Sequence, residues 1–493
     1  MAKIVGQRAR GLLLASLACP LAPCATAIAA AADDARLIDM QAQLAPVQAQ
    51  LQQLTEENRS LRERLARLER ALAQLTGPLA APSVTPSTPA APPTPSAAPP
   101  AAANSSALPT PAPPSTPGAA ALAAGVRLWG YGEMYYIDPT RYGNQARADL
   151  ARAVFGLGYS FDERTEFNSE YEVEHAVASG SDPGEFEVEQ FYVDRAFSEA
   201  LSARGGLFLM PFGFLNEHHE PTRFYGVQRN FVETLIIPST WREGGFNLHG
   251  DSRAGFGWNV GLTTGFDLSK WDFAPAFPPY TSALALANSG TAPLQATHQE
   301  LALANARHLS QYAALSYYGV PALLLGGALS SGESSAPGDP RVTLWEAHAR
   351  WMPGKLDLSA LYARGSISNT GPANAAHPGS PNPLPSSFYG YFLQGAYRLW
   401  EQGDYQAAPF VRWERYNLGA SYAGTRGPVV PPGLVPLSGA GGDFGYWPRS
   451  EDRVFTAGAN FYVGTHLVLK GDYQWFQLNQ GFRRFDLGLG VSF

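Results

Sequence analysis

The sequence predicts an all-β fold, a 16-stranded antiparallel transmembrane β-barrel, preceded by an α-helical coiled coil and a Pro/Ala-rich linker. Three observations carry that expectation. Beyond Gly125, apolar and polar residues alternate in pieces of about ten residues, the length at which a tilted strand crosses a bilayer. The connections between these pieces alternate between short and long. The last ten residues place Phe485, Leu487, Leu489, Val491 and Phe493 on one face of a strand, and Arg484, Asp486, Gly488, Gly490 and Ser492 on the other.

Taken in order, residues 1–32 read as a secretory signal peptide. Lys3, Arg8 and Arg10 supply its charge, Leu12, Leu13, Leu14, Leu17 and Leu21 its apolar stretch, and small residues from Ala25 to Ala32 several cleavage points. Both cysteines, Cys19 and Cys24, fall inside this segment, so the mature chain is expected to hold none. Ser16 and Pro23 stand badly for a lipid-anchoring signal at either cysteine.

Residues 33–76 carry apolar residues in steps of three and four, from Leu37 through Val47, Leu51, Leu54, Leu61, Leu65, Leu68 and Leu72 to Leu75. That seam predicts a coiled coil, with Asn58 as the polar position that sets its register. Pro46 marks a start or kink, and Gly77-Pro78 a stop. Residues 77–124 form the linker: 14 of the 41 prolines lie between 78 and 118, mixed with alanine, serine and threonine. Such a composition cannot bury a core and stays extended and hydrated.

Residues 125–493 divide into 16 alternating pieces, the first at about 126–137 and the last at 483–493. An even number returns the chain to the side from which it started. Tight turns fall at Phe161-Asp162-Glu163, Ser252-Arg253-Ala254, Gly319-Val320, Pro353-Gly354 and Gly464-Thr465-His466. Long connections fall at 213–243, 266–306, 367–387 and 417–451. Short turns on one side and long loops on the other is the arrangement of outer-membrane barrels, and a soluble β-sandwich predicts no such alternation. In 185–197 the phase slips near Gln190-Phe191, which predicts a bulge. No apolar run after residue 32 is long enough for a spanning helix.

A barrel of this size is too wide for its own side chains to fill, so the phasing predicts a wet inner wall. On it fall Arg152, Glu170, Glu172, Glu346, Arg350, Arg398, Arg412, Glu414, Lys470 and Asp472. The inward arginines either make a basic wall or pair with inward acids such as Glu346 and Glu414 and stiffen the lumen. The connection 213–243, between the fifth and sixth pieces and so the third on the long-loop side, is dense in both charge signs. Glu217, His218, His219, Glu220, Arg223, Arg229, Glu233, Arg242 and Glu243 make it the expected pore constriction. His218 and His219 with neighbouring glutamates do not form a recognisable ligand pattern. No nucleophile–base set, phosphate loop or HExxH motif occurs in the mature chain. An enzyme, a metal, a cofactor and a nucleic-acid partner are therefore not expected.

The stretches Gly206-Leu207-Phe208-Leu209-Met210-Pro211-Phe212-Gly213, Asn216-Glu217-His218-His219-Glu220-Pro221, Phe224-Tyr225-Gly226 and Ile237-Pro238-Ser239-Thr240-Trp241 resemble the phosphate-selective porin O/P superfamily. The likeness covers residues 125–493, and the coiled coil is similar to that of the dicarboxylate-porin-like branch. It implies a homotrimeric outer-membrane porin, a water-filled diffusion channel for small hydrophilic solutes, anionic ones among them. Phosphate-selective members use many lysines and an arginine ladder. Residues 125–493 hold 3 lysines, 23 arginines and 35 acids, a net of 3 + 23 − 35 = −9. Phosphate preference is thus not supported by net charge, although the few charges lining a narrow path can override it. The terminal Phe493 resembles the signal read by the barrel assembly machinery. The alternative class is a structural anchor, a barrel in outer-membrane lipid whose periplasmic residues 33–76 contact peptidoglycan.

Overall fold

The computed structural model of the chain describes residues 125–140, 146–178, 184–273, 292–380, 382–425, 427, 451–478, 480 and 483–493. The expected signal peptide, the coiled coil with Asn58 and the linker lie outside the described residues. Alternating residues form the strands β1 (Val126–Pro139), β2 (Arg147–Asp162), β3 (Thr165–Glu174), β4 (Phe186–Ser198), β5 (Leu201–Leu209) and β6 (Arg242–Asp251). Then come β7 (Phe256–Thr264), β8 (Leu309–Tyr317), β9 (Leu323–Glu333), β10 (Arg341–Trp351), β11 (Leu356–Ile367) and β12 (Pro385–Tyr397). The last are β13 (Trp400–Gln402), β14 (Tyr405–Tyr422), β15 (Glu451–Val463), β16 (Leu467–Phe476) and β17 (Arg484–Ser492).

Pairing is antiparallel between chain neighbours throughout. β12 and β13 both pair with β14, so they are two pieces of one wall strand, and the 17 segments make 16 wall strands. β17 pairs with β1 from Tyr131↔Ser492 to Pro139↔Arg484, which closes the barrel. Closure satisfies every strand's backbone groups inside the wall, the condition for spanning a bilayer. One end carries the short connections together with the start of β1 and Phe493; we call it the turn end, and the other the loop end.

The two faces sort as alternation requires. Phe155, Leu157, Leu248, Leu262, Leu393, Val411, Leu469 and Leu487 are exposed on the outer face. Aromatic residues gather at its two rims, Phe161, Phe256, Trp351 and Trp400 at the turn end, Tyr136, Phe186, Trp345 and Trp475 at the loop end. An apolar band between aromatic girdles fits a lipid environment. No helix among the described residues is long and apolar enough to cross a membrane, which says nothing of strands.

The phase slip in β4 is a bulge. Glu170 pairs with Gln190 and Tyr171 with Val188, so Glu189 has no partner residue in β3. The slip turns both Glu189 and Gln190 toward the interior around Glu170, as bulges do where a side chain must be re-aimed.

The carboxy-terminus is stitched to β1 by its own backbone, Phe493 N donating to Gly130 O at 2.8 Å and Gly130 N to Phe493 O at 3.0 Å. The phenyl group itself is 62% exposed. Deleting Phe493 removes these two bonds at a rim and leaves the other pairs in place. The expected result is less folded barrel in outer-membrane fractions, with little change in the melting temperature of what does fold. Heat-modifiability on gels of membrane fractions measures it, and normal assembly of the deletion variant counts against a signal role for Phe493.

Candidate functional site

The connection between β5 and β6 does not stay at the loop end; it enters the barrel. Its base is clamped by Asn216, whose Nδ2 donates to Met210 O and Trp241 O, both at 2.7 Å, while its Oδ1 accepts from Trp241 N at 2.6 Å. Inside the loop, Glu233 is the hub. Its Oε1 accepts from Phe214 N and from Leu215 N at 2.8 Å, and its Oε2 accepts from Asn230 Nδ2 at 2.6 Å. Burial raises the Glu233 carboxyl above the ordinary glutamate range, and these three donors oppose that rise.

The wall receives the loop through side chains from distant strands. Gly226 N donates to Asn460 Oδ1 at 3.1 Å, Val227 N to Asp472 Oδ2 at 2.6 Å, and Phe231 N to Glu414 Oε2 at 2.7 Å. The Tyr225 hydroxyl donates to Asp357 Oδ2 at 3.2 Å, and Arg412 Nη1 to Tyr225 O at 3.2 Å. At β17 the inward glycines make room for the loop. A Cβ on Gly490 would stand 2.5 Å from Pro221 Cβ, and one on Gly488 would stand 3.1 Å from Val227 Cγ1.

These contacts divide the lumen. On one side Phe231, Val232, Leu235, Ile236, Ile237 and Trp241 pack with wall residues including Leu344, Leu361, Phe388, Phe392, Tyr416 and Phe476 in a single apolar cluster. The expected wet wall is therefore corrected: much of the inner face of β10 to β16 is dry, because the loop supplies the volume that wall side chains cannot. On the other side a polar cleft runs between the loop and β1–β3. Glu133, Arg152, Glu172, Glu174, His175 and Arg229 line it. A second cavity opens at the turn end between Tyr131, Glu220, Thr222, Arg223 and His466.

The expected constriction residues separate accordingly. Arg229 lines the cleft, donating from Nη1 to Ser239 Oγ at 2.7 Å and Thr240 Oγ1 at 2.9 Å. Arg223 sits instead at the turn-end cavity, 47% exposed and 3.9 Å from Glu220. Glu217 and His218 are exposed. Arg242 is buried beside Glu187 and Glu300, and Glu243 accepts from Trp241 Nε1 at 3.1 Å and from the Thr264 hydroxyl. Both brace the loop base. His219 is buried; its Nδ1 faces Asn216 O at 3.0 Å, and burial with nearby Arg229 and Arg152 pushes its pKa down to about 3. The imidazole is thus neutral at physiological pH.

Among the wall residues, pairing prevails over a free basic face. Arg152 meets Glu133 at 2.8 Å, Arg350 meets Asp357 at 2.6 Å and Arg412 meets Glu414 at 3.0 Å. Arg484 and Asp486 pair at 3.0 Å with neither exposed. Glu346 faces His348 at 2.8 Å, and Glu170 and Glu172 are buried near Tyr131 and the cleft. Lys470 places its Nζ 3.4 Å from the ring centroid of Phe224, a cation–π contact. Arg398 stands at the end of its wall strand. It lies between β12 and β13 at the turn-end rim, 43% exposed and paired with Glu401, because the wall strand breaks there. Not foreseen were Glu189, Tyr131, Asp357 and Asn460, for which the phase slip at 190 was the only local signal, nor the clamp role of Asn216, which the sequence showed only as part of the loop.

A closed 16-stranded barrel with a long loop folded into its lumen defines a porin-type architecture. No protein-family model matches the chain. An uncharacterized protein of Aquifex aeolicus (strain VF5) is 29% identical over 362 residues, spanning 71% of this chain and 75% of that protein. Among solved structures, Salmonella typhi OmpF in complex with daunomycin superposes with a TM-score of 0.48 at 12% identity, covering 75% of this chain and 97% of that one. An anion-selective porin from Comamonas acidovorans gives 0.44 at 12% identity over 75% and 99%. The outer-membrane channel DcaP of Acinetobacter baumannii gives 0.41 at 12% identity over 75% and 97%.

Proposed function

We propose that the chain is an outer-membrane diffusion channel for small hydrophilic solutes, and that the loop 213–243 sets what passes. The observation that carries this reading is the loop's position: it is hydrogen-bonded across the lumen yet leaves a polar cleft against β1–β3. A barrel sealed for structural purposes alone has no need of a charged cleft, since buried unpaired charge is costly. The turn end faces the periplasm in this reading, residues 33–76 are a periplasmic coiled coil, and the working unit is a homotrimer inserted by the barrel assembly machinery. The resemblance to the phosphate-selective porin O/P superfamily supports the same assignment.

Charge preference is weak. The cleft sets Arg152 and Arg229 against Glu133, Glu172 and Glu174, and Arg152 is already paired. The anion preference that the resemblance implies is read from Arg229, the cation that the loop itself brings to the cleft. Planar-bilayer recording tests both levels. Stepwise ohmic channels are expected, and their absence from folded protein overturns the channel. Arg229→Gln is expected to move the reversal potential in a salt gradient toward cations. Arg253→Gln should leave it unchanged, because Arg253 is 93% exposed and screened within about 8 Å at physiological salt. Equal shifts from the two would mean that the loop is not the selective element.

A further inference from the structure

The bulge at Glu189 and the inward loop meet at one place. Glu170 of β3, Glu189 of β4 and His219 of the loop are all buried, at 5%, 0% and 3% exposure. Each turns a ligand-capable atom into a common point, the three atoms lying within 4.8 Å of one another. Glu189 Oε1 has no hydrogen-bond partner and lies 3.7 Å from His219 Nε2.

Glu170 Oε2 accepts from Trp129 Nε1 at 3.1 Å and from Gln190 Nε2 at 3.3 Å, and its Oε1 turns to the shared point. The Tyr131 hydroxyl stands 2.7 Å from His219 Nε2, 2.9 Å from Glu170 Oε1 and 3.3 Å from Glu189 Oε2. It has one proton for these three acceptors. His219 Nδ1 faces a backbone carbonyl, Asn216 O, so the ring proton belongs on Nδ1 and Nε2 presents a lone pair. Arg152, the nearby cation, donates to the His219 carbonyl at 2.7 Å and to Glu133 at 2.8 Å, while its Nη1 has no hydrogen-bond partner. Among the described residues neither the Glu170 nor the Glu189 carboxylate forms an ion pair with an arginine or lysine, and a burial this complete makes that expensive.

We propose that Glu170, Glu189 and His219 bind one divalent transition-metal ion of the zinc or manganese kind, pinning the loop to the β3–β4 wall. One imidazole nitrogen with two carboxylates suits such an ion better than calcium, which takes six to eight oxygens. Metal–ligand distances of about 2.1 Å place ligands roughly 3.4 Å apart in a tetrahedron, so the side chains close slightly on the ion. The Nδ1–H···O=C bond from His219 is the orienting contact that metal-bound histidines use. Tyr131 also borders the turn-end cavity. The ion would tie down a segment whose place in the lumen is otherwise held by hydrogen bonds and packing.

The test uses the full-length protein folded in detergent, stripped with EDTA and then equilibrated with Zn²⁺ or Mn²⁺. Metal retained after gel filtration is measured by mass spectrometry. The expected result is one ion per chain for the wild type and for His308→Gln, a histidine elsewhere in the barrel, with loss in Glu189→Gln and His219→Gln. No retained ion in the wild type, or full retention by Glu189→Gln, overturns the proposal. Should the variants fail to fold, zinc X-ray absorption on the wild type decides instead. A shell of one imidazole with oxygen ligands supports the site, and a shell of several imidazoles overturns it. None of these readouts depends on conductance, so the site and the channel stand or fall separately.

Discussion

Alanine at Glu414 is expected to release the loop from its wall and turn a quiet channel into a wide, noisy one. Glu414 is fully buried; its Oε1 accepts from Arg412 Nε at 3.0 Å and its Oε2 from Phe231 N at 2.7 Å. Truncation strands a buried guanidinium and a buried backbone N–H together. Losing one partner of a buried ion pair costs about 3–5 kcal/mol. The strands themselves keep their ladder, so the structure relieves that cost most cheaply by undocking residues 225–231, a local opening rather than a global one. Arg412 also holds Tyr225 O, so its disturbance spreads along the same segment. Single-channel recording should show larger conductance with frequent fluctuations, and melting should begin earlier. Glu401→Ala is the control. Glu401 pairs with Lys355 and Arg398 at the exposed rim, where a change of this kind is usually within about 0.5 kcal/mol. Wild-type conductance and noise in Glu414→Ala would show that this wall does not hold the loop.

A second large effect is expected at Glu233, from inside the loop. Alanine there removes the acceptor for Phe214 N, Leu215 N and Asn230 Nδ2 at once. Each buried donor left without a partner costs about 1–3 kcal/mol, and water entering the opened loop recovers part of the sum. Glutamine keeps one oxygen for the two backbone donors and gives up only the Asn230 contact, so Glu233→Gln should be milder by at least one such donor. Limited proteolysis within 213–243 measures the difference, with the order wild type, glutamine, alanine expected for increasing cleavage. The same order should appear in current noise. Equal resistance of all three proteins to cleavage would mean that packing of Phe231, Ile236 and Trp241 holds the loop without its polar hub.

How far the sequence alone reached follows from what is local. Strand alternation has a period of two, and each strand declares its inner and outer faces without reference to its neighbours. The wall count, the alternation of turns and loops and the inward placement of Arg152, Glu346, Arg412, Glu414 and Asp472 were therefore legible from residues 125–493. Even the β4 bulge left a local mark, because a one-residue slip moves the apolar set to the other face. Arg398 sits where its wall strand breaks, a place that has no signature in residue type.

What only the tertiary structure decided is what the inner faces meet. An inward acid reads the same whether it faces water or a backbone N–H. Glu414 and Asp472 take donors from residues 231 and 227, 183 and 245 positions away in the chain. Likewise Gly488 and Gly490 show in the sequence only as small inward residues; their use appears when Val227 and Pro221 stand against them. The cluster of Glu170, Glu189 and His219 unites two strands and a loop, so no spacing in the chain could announce it. Alternation is a property of the strand and is written along it, whereas the lumen is a volume shared by sixteen strands and one long loop, and its contents depend on the path that loop takes.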